Sequence, residues 1–176
     1  MIPLNYSTMY IKKVSILISC LLLGACSWFD PHFSSGLEGK SLPDFRLQLS
    51  DSITGFQTSS IKSGQPFVLF LYQPYCPYCQ SQTKDILDNM GEFKNIRFYL
   101  ATSYSYTGIR LFSKHYHLEK YSNITLIRDS ANQLLNYFKT DGVPYLAYYD
   151  NQKKLRRVTS GKNELKVIKH NINAIE

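Results

Sequence analysis

Residues 67–79 read Phe67-Val-Leu-Phe-Leu-Tyr72-Gln-Pro-Tyr-Cys76-Pro-Tyr-Cys79. The first six are continuously apolar or aromatic, the pattern of a strand buried on both faces. Two cysteines, two residues apart, follow directly. Beyond them Cys79, Thr83, Ile86, Leu87 and Met90 repeat at helical spacing. The dithiol therefore sits where a buried strand ends and a helix begins. A helix N-terminus offers unpaired N–H groups and a partial positive charge, and both favour a thiolate at Cys76. Pro77 fits the first helical turn, where its missing N–H costs nothing. Two intervening residues let the sulfurs close a small ring. Cys76 is then the nucleophile, and Cys79, one turn in, resolves the mixed disulfide. A structural disulfide or half of a metal site is the competing reading. A zinc site wants four ligands, and the chain has no second CxxC. Its histidines are His32, His115, His117 and His170, and none has a spacing that completes such a site. His115 and His117, two apart on an expected helix, point to different faces. No metal is expected.

Strand and helix patterns alternate outward from this point. Phe45 to Leu49 alternates as a half-buried strand. Ile96, Phe98 and Leu100 alternate again, and Ile109, Phe112 and Tyr116 fit a helix. Ile124 to Ile127 is a short strand, followed by a helix carrying Ala131, Leu134, Leu135 and Phe138. Tyr145–Tyr149 and Leu155–Val158 form two strands around an Asp150-Asn-Gln-Lys turn. Leu165, Ile168, Ile172 and Ile175 line a last amphipathic helix. Such alternation predicts an α/β fold: a central mixed sheet flanked by helices on both faces.

The chain has 176 residues, 44% hydrophobic and 19% charged, a globular composition of one domain. Its start reads differently. Lys12 and Lys13 precede the apolar run Val14–Leu23, which is short for a membrane span. Leu23-Gly24-Ala25-Cys26 comes next and resembles the lipobox of bacterial lipoproteins. That resemblance implies a signal peptide over 1–25, lipidation of Cys26 and a lipid-anchored tether over 26–41. Trp28 and Phe29 would lie at the lipid interface or against the domain's edge. The domain itself is expected over 42–176. Cleavage removes two of 20 basic residues and none of 13 acidic ones, so the net charge falls from +7 to about +5. It also removes Cys20, and it leaves Cys76 and Cys79 as the free pair. A charge of that size is no basic stripe, which argues against nucleic acid as a partner. Lys153-Lys154-Leu-Arg156-Arg157 reads as solvated charge on the hairpin.

Cys76-Pro-Tyr-Cys79 after an apolar strand resembles the active site of the thioredoxin superfamily, and its Pro-Tyr pair is similar to that of glutaredoxins. Gly142-Val143-Pro144-Tyr145 resembles the superfamily's cis-proline loop, which implies that Val143 and Pro144 bind substrate opposite the CxxC. Gly39-Lys-Ser-Leu-Pro43-Asp44-Phe45 is similar to the opening of the membrane-anchored, TlpA- or ResA-like branch, of redoxin or AhpC-TSA type. The resemblance spans 39–175 and implies a thioredoxin-like fold with an extra N-terminal strand and a βα insertion. It implies a thiol–disulfide oxidoreductase in the bacterial cell envelope. Its partners would be exported protein thiols or disulfides and a membrane redox partner. Its cofactor would be the Cys76–Cys79 disulfide alone. Tyr75, Pro77 and Tyr78 would flank the sulfurs as a landing surface. The chain departs from thioredoxin in having no acid over Phe67–Tyr72, and Tyr75 stands where a Trp is usual. Asp85 and Glu92 are the nearest downstream acids and read as exposed helix charge. Two other classes stay open. A peroxiredoxin would have Thr or Ser where Gln73 stands, and Pro in place of Leu69. A copper(I) binder of this fold would use CxxxC plus a distant His, one residue longer than the spacing here.

Overall fold

β3 (Phe67–Leu71) is buried at every residue, as its unbroken apolar run demands. The computed structural model describes residues 33–176. The expected signal segment, Cys20, the lipidation site Cys26, Trp28, Phe29 and His32 lie outside the described residues. β3 is flanked by β4 (Arg97–Thr102) and β6 (Tyr145–Tyr149) in a seven-stranded sheet. The other strands are β1 (Arg46–Leu49), β2 (Gly55–Gln57), β5 (Ile124–Arg128) and β7 (Leu155–Ser160). Their order is β2-β1-β5-β4-β3-β6-β7. β3, β4 and β5 run parallel; β6 runs antiparallel to β3, β7 to β6 and β1 to β5. Leu69 faces Tyr99 on one side and Ala147 on the other.

The alternation of side chains divides the core into two layers. Val68, Phe70, Phe98, Leu100, Leu146 and Tyr148 point to one face. Three helices cover it: α1 (Pro77–Asp88) with Ile86, α2 (Tyr106–Tyr116) with Phe112, and α4 (Leu165–Asn173) with Ile168 and Ile172. Phe67, Leu69, Tyr99, Ala101, Ala147 and Tyr149 point to the other. That face is closed by α3 (Gln133–Phe138) with Leu134 and Phe138, and by the N-terminal segment. The Phe67 and Tyr149 rings stack at 4.6 Å within it.

Four features differ from the sequence reading. β2 forms an edge hairpin with β1 although its three residues carry too short a pattern to be seen. Residues 39–41, placed with the tether, run along the sheet edge. Gly39 N donates to Leu155 O at 2.7 Å, Leu155 N donates to Lys40 O, and Ser41 bridges Lys154. The charges of the basic hairpin face solvent in part, Arg156 with half its side chain exposed, but they are also hydrogen-bonded. Lys153 Nζ donates to the Ile61 carbonyl, Lys154 Nζ to Ser41 Oγ, and Arg156 Nε to Asp150 at 2.6 Å. His117 is not on a helix face: with φ 50° it is the left-handed cap that ends α2.

Candidate active site

β3 delivers the chain to the site through Tyr72, whose N–H still bonds Ala101 O at 3.0 Å. The turn Gln73-Pro-Tyr-Cys76 closes when Cys76 N donates to Gln73 O. Cys76 then caps α1. Its Sγ accepts the backbone N–H of Cys79 at 3.4 Å, and Pro77 occupies the first turn. A sulfur in the capping position receives an amide and the positive end of the helix at once. Cys76 is half-buried, Cys79 fully buried, and both are free thiols.

Burial pushes the Cys79 thiol up to about 12; the Gln73 N–H favours its thiolate, and Cys76 beside it adds to the rise. The two sulfurs therefore differ: Cys76 is accessible at the helix start, while burial disfavours ionisation of the Cys79 thiol. Gln73 had no role in the sequence reading. Only the turn geometry brings its amide to Cys79, and no side-chain signal marks it.

Gly142-Val143-Pro144 lies across from the sulfurs. The Val143–Pro144 bond is cis, and the Val143 carbonyl lies 3.9 Å from Cys76 Sγ. Sixty-seven residues separate these groups along the chain. They meet because β6 lies beside β3 in the sheet. Pro144 is buried, and its carbonyl accepts the Gly161 N–H at 2.8 Å. Tyr75 and Tyr78 are 61% and 66% exposed, flanking the dithiol. The Tyr75 ring meets Tyr104 edge-on at 5.8 Å. Pro77 is exposed between them. Tyr72 belongs to the core, with its ring 4.6 Å from Phe112.

Among the described residues no carboxylate shifts the Cys79 thiol. Asp85 pairs with Lys162 at 2.5 Å, and Glu92 with Lys169 at 2.8 Å. Both acids thus pair with lysines of the segment around α4; Glu92 is exposed, as expected, and Asp85 is half-buried. Among the described residues no three His, Cys, Asp or Glu side chains gather as a metal site.

No curated protein matches the chain. Solved structures do, over most of their length. The structure of MTB dsbF in its mixed oxidized and reduced forms is 18% identical, with a TM-score of 0.65, covering 81% of this chain and 98% of that one. A secreted Mycobacterium tuberculosis disulfide oxidoreductase homologous to E. coli dsbE is 16% identical, TM-score 0.62, covering 74% and 95%. The pneumococcal exposed lipoprotein thioredoxin of Streptococcus pneumoniae is 21% identical, TM-score 0.58, covering 75% and 99%. These likenesses establish the thioredoxin-like fold expected from the sequence. The model of the AhpC/TSA family matches residues 39–167, from the segment along β7 through the dithiol and the cis-proline loop into α4. With that match over most of its length, the chain belongs to the AhpC/TSA family and is a thioredoxin-like oxidoreductase.

Proposed function

We propose that this protein exchanges disulfides with exported proteins through Cys76-Pro-Tyr-Cys79, anchored at the bacterial cell envelope by lipid on Cys26. The observation that carries the reading is the helix-capping sulfur of Cys76, 3.9 Å from the Val143 carbonyl, with Cys79 buried one turn behind it. In the reducing direction the Cys76 thiolate attacks one sulfur of a partner disulfide. That S–S bond breaks, a mixed disulfide forms, and the partner's other sulfur leaves as a thiolate and takes up a proton. Cys79 loses its proton and attacks Cys76 Sγ. The Cys76–Cys79 bond forms, the second partner thiol is released, and two electrons have passed to the partner. A membrane redox partner restores the pair, and no cofactor beyond that disulfide is needed.

Tyr75 and Tyr78 supply an apolar surface for the partner, and the Val143 backbone aligns its chain. The anchor rests on the lipobox-like Leu23-Gly24-Ala25-Cys26; one of the fold's relatives is itself an exposed lipoprotein. The test is turbidimetric reduction of a disulfide-bonded protein. Cys76→Ser should abolish it, and Cys79→Ser should accumulate a mixed disulfide; full activity of Cys76→Ser refutes the reading. Cys26→Ala should move the protein from the membrane to the soluble fraction, and an unmoved variant refutes the anchor. A peroxidase reading has the family match as its support. Thiol-dependent peroxide turnover faster than protein-disulfide exchange would establish it instead.

A further inference from the structure

We propose, resting on the disulfide-exchange reading above, that Arg128 is a docking residue for a partner carboxylate, on the flank of the dithiol opposite Val143 and Pro144. It takes an acidic side chain several residues away from the partner's cysteine. The sheet order sets the two flanks. β6, which the cis-proline loop enters, lies on one side of β3, and β4 and then β5 lie on the other. Leu71 pairs with Ala101, and the next residue, Thr102, pairs with Arg128. Arg128 at the end of β5 therefore stands level with Tyr72, two strand spacings or about 10 Å across the sheet.

Tyrosines join Arg128 to the dithiol. The Tyr75 ring, next to Cys76, meets Tyr104 edge-on at 5.8 Å. The Tyr104 carbonyl accepts the Nε–H of Arg128 at 3.0 Å. The guanidinium lies over the Tyr106 ring, 4.8 Å from its centroid, and the Tyr106 hydroxyl donates to Gln48 at 2.6 Å. A planar cation is thus held by one nitrogen and one face. Tyr75 is exposed, and Tyr104, Tyr106 and Arg128 are half-buried, so the row is open to a partner that reaches Cys76.

Charge decides the class of partner group. An arginine side chain carries five N–H donors and a permanent charge. Here one donor is used, and among the described residues the terminal fork makes no hydrogen bond and meets no carboxylate. Asp129, the next residue, does not serve as counter-ion. It is buried, and its oxygens accept the N–H groups of Gln133 at 3.0 Å and Leu134 at 2.8 Å. The first turn of α2, where Tyr106 lies, holds no acid either. Lys84, Arg156, Lys162, Lys166 and Lys169, by contrast, each face a carboxylate of the chain. A neutral donor would satisfy the Tyr104 carbonyl equally well. What Arg128 adds is a charged fork, fixed at its root and open at its tip, whose geometry matches a carboxylate.

The test uses the full chain and a series of peptides, each joined to glutathione through its one cysteine. Each peptide carries a single Asp, or Asn as its neutral match, one to six residues from the cysteine on either side. The measured quantity is the Asp-to-Asn ratio of kcat/KM within each protein, so that a general change in rate cancels. The ratio should reach about threefold to tenfold on one side of the cysteine only. An extended chain covers about 3.3 Å per residue, so the favoured position should be three residues away or more. In about 1 M salt, where the Debye length is ~3 Å, the ratio should fall toward one. Arg128→Gln, which keeps a donor for the Tyr104 carbonyl, should bring it to about one, and Arg128→Lys should retain part of it. Ratios near one at every position in the native protein overturn the proposal, and so does an Asp preference that survives in Arg128→Gln. Ratios near one with Arg128-dependent binding to vesicles of anionic lipid would assign the arginine to a membrane surface instead. Exchange without acid preference refutes the docking residue alone; no exchange with any peptide or with oxidised glutathione would refute the underlying function, and the docking residue with it.

Discussion

The two sulfurs should separate in pH, and the separation can be read from the lifetime of the mixed disulfide. Burial lifts the Cys79 thiol to about 12, helped by its neighbour Cys76. Once Cys76 is bonded to a partner its negative charge is gone, but burial, the largest cause, stays. At a value of 12 the thiolate fraction of Cys79 is ~10⁻⁵ at pH 7, and it grows tenfold with each pH unit. An unperturbed cysteine, near 8.5, would be about 3% ionised at pH 7 and would level off above pH 9. The rate of resolution should therefore rise by about a thousandfold between pH 7 and 10 without a plateau. Single-turnover mixing with a peptide disulfide, acid quenching and mass spectrometry of the mixed disulfide give that rate directly. Cys79→Ser identifies the step, since its adduct cannot decay by this route. A plateau below pH 9 would refute the buried-thiol argument. The same burial links pH to stability. Unfolded Cys79 ionises near 8.5 and folded Cys79 only toward 12, so its stabilising contribution is whole below about 8.5 and is withdrawn as pH rises toward 12.

Ile168 is fully buried where α4 seals one face of the sheet, so Ile168→Ala should cost about 2–5 kcal/mol by urea unfolding; under ~1 kcal/mol would mean the helix is not part of the seal. Asp150 is the anchor of the β6–β7 turn. Burial raises its carboxyl, but the N–H groups of Lys154 and Gln152 and the Arg156 guanidinium outweigh that, and the net shift is downward. Its contribution is thus present at neutral pH and lost as pH falls below the ordinary carboxylate range; Asp150→Asn should flatten the acid limb of a thermal-melt series, and an identical limb would count against it. Replacing both Tyr75 and Tyr78 with Ala should raise KM for a disulfide-bonded protein by roughly tenfold while kcat changes little; a fall in kcat with constant KM would contradict their placement as a landing surface.

Phe67–Cys79 made the central strand, the helix start and the dithiol legible, because each rests on local pattern: burial on both faces, a proline in the first turn, and helical spacing behind it. Val143 and Pro144 were legible through resemblance. No periodicity says that a loop 67 residues away lies over Cys76; that depends on β6 pairing with β3. β2 was not legible, because three residues at an edge make only half a period-2 pattern and gain their bonds from β1. The bonds made by the hairpin charges were hidden for a related reason. Lys153 and Lys154 look like any exposed lysines, and their acceptors, Ile61 and Ser41, come from distant segments that the fold brings alongside. Gln73 was invisible in kind, since it acts through a backbone N–H that every residue but proline has.

Thioredoxin-like chemistry usually has a carboxylate near the buried sulfur, and here Asp85 and Glu92 are held by lysines instead. What remains beside Cys79 is the Gln73 amide, which can stabilise a thiolate but cannot accept its proton. In the proposed exchange the first step is attack by a sulfur seated on a helix terminus, and the second waits on a thiol that burial pushes up to about 12. In the exchange proposed above, the intermediate between them, partner bonded to Cys76, is therefore expected to be the long-lived species. A long-lived adduct would give its surroundings time to discriminate: a partner that fits Tyr75, Tyr78 and the Val143 edge would stay aligned until Cys79 acts. One that does not fit is returned by reversal, as its own released thiolate attacks the mixed disulfide. Slow resolution and a shaped recognition edge thus belong together, because a fast resolving cysteine would release every partner alike.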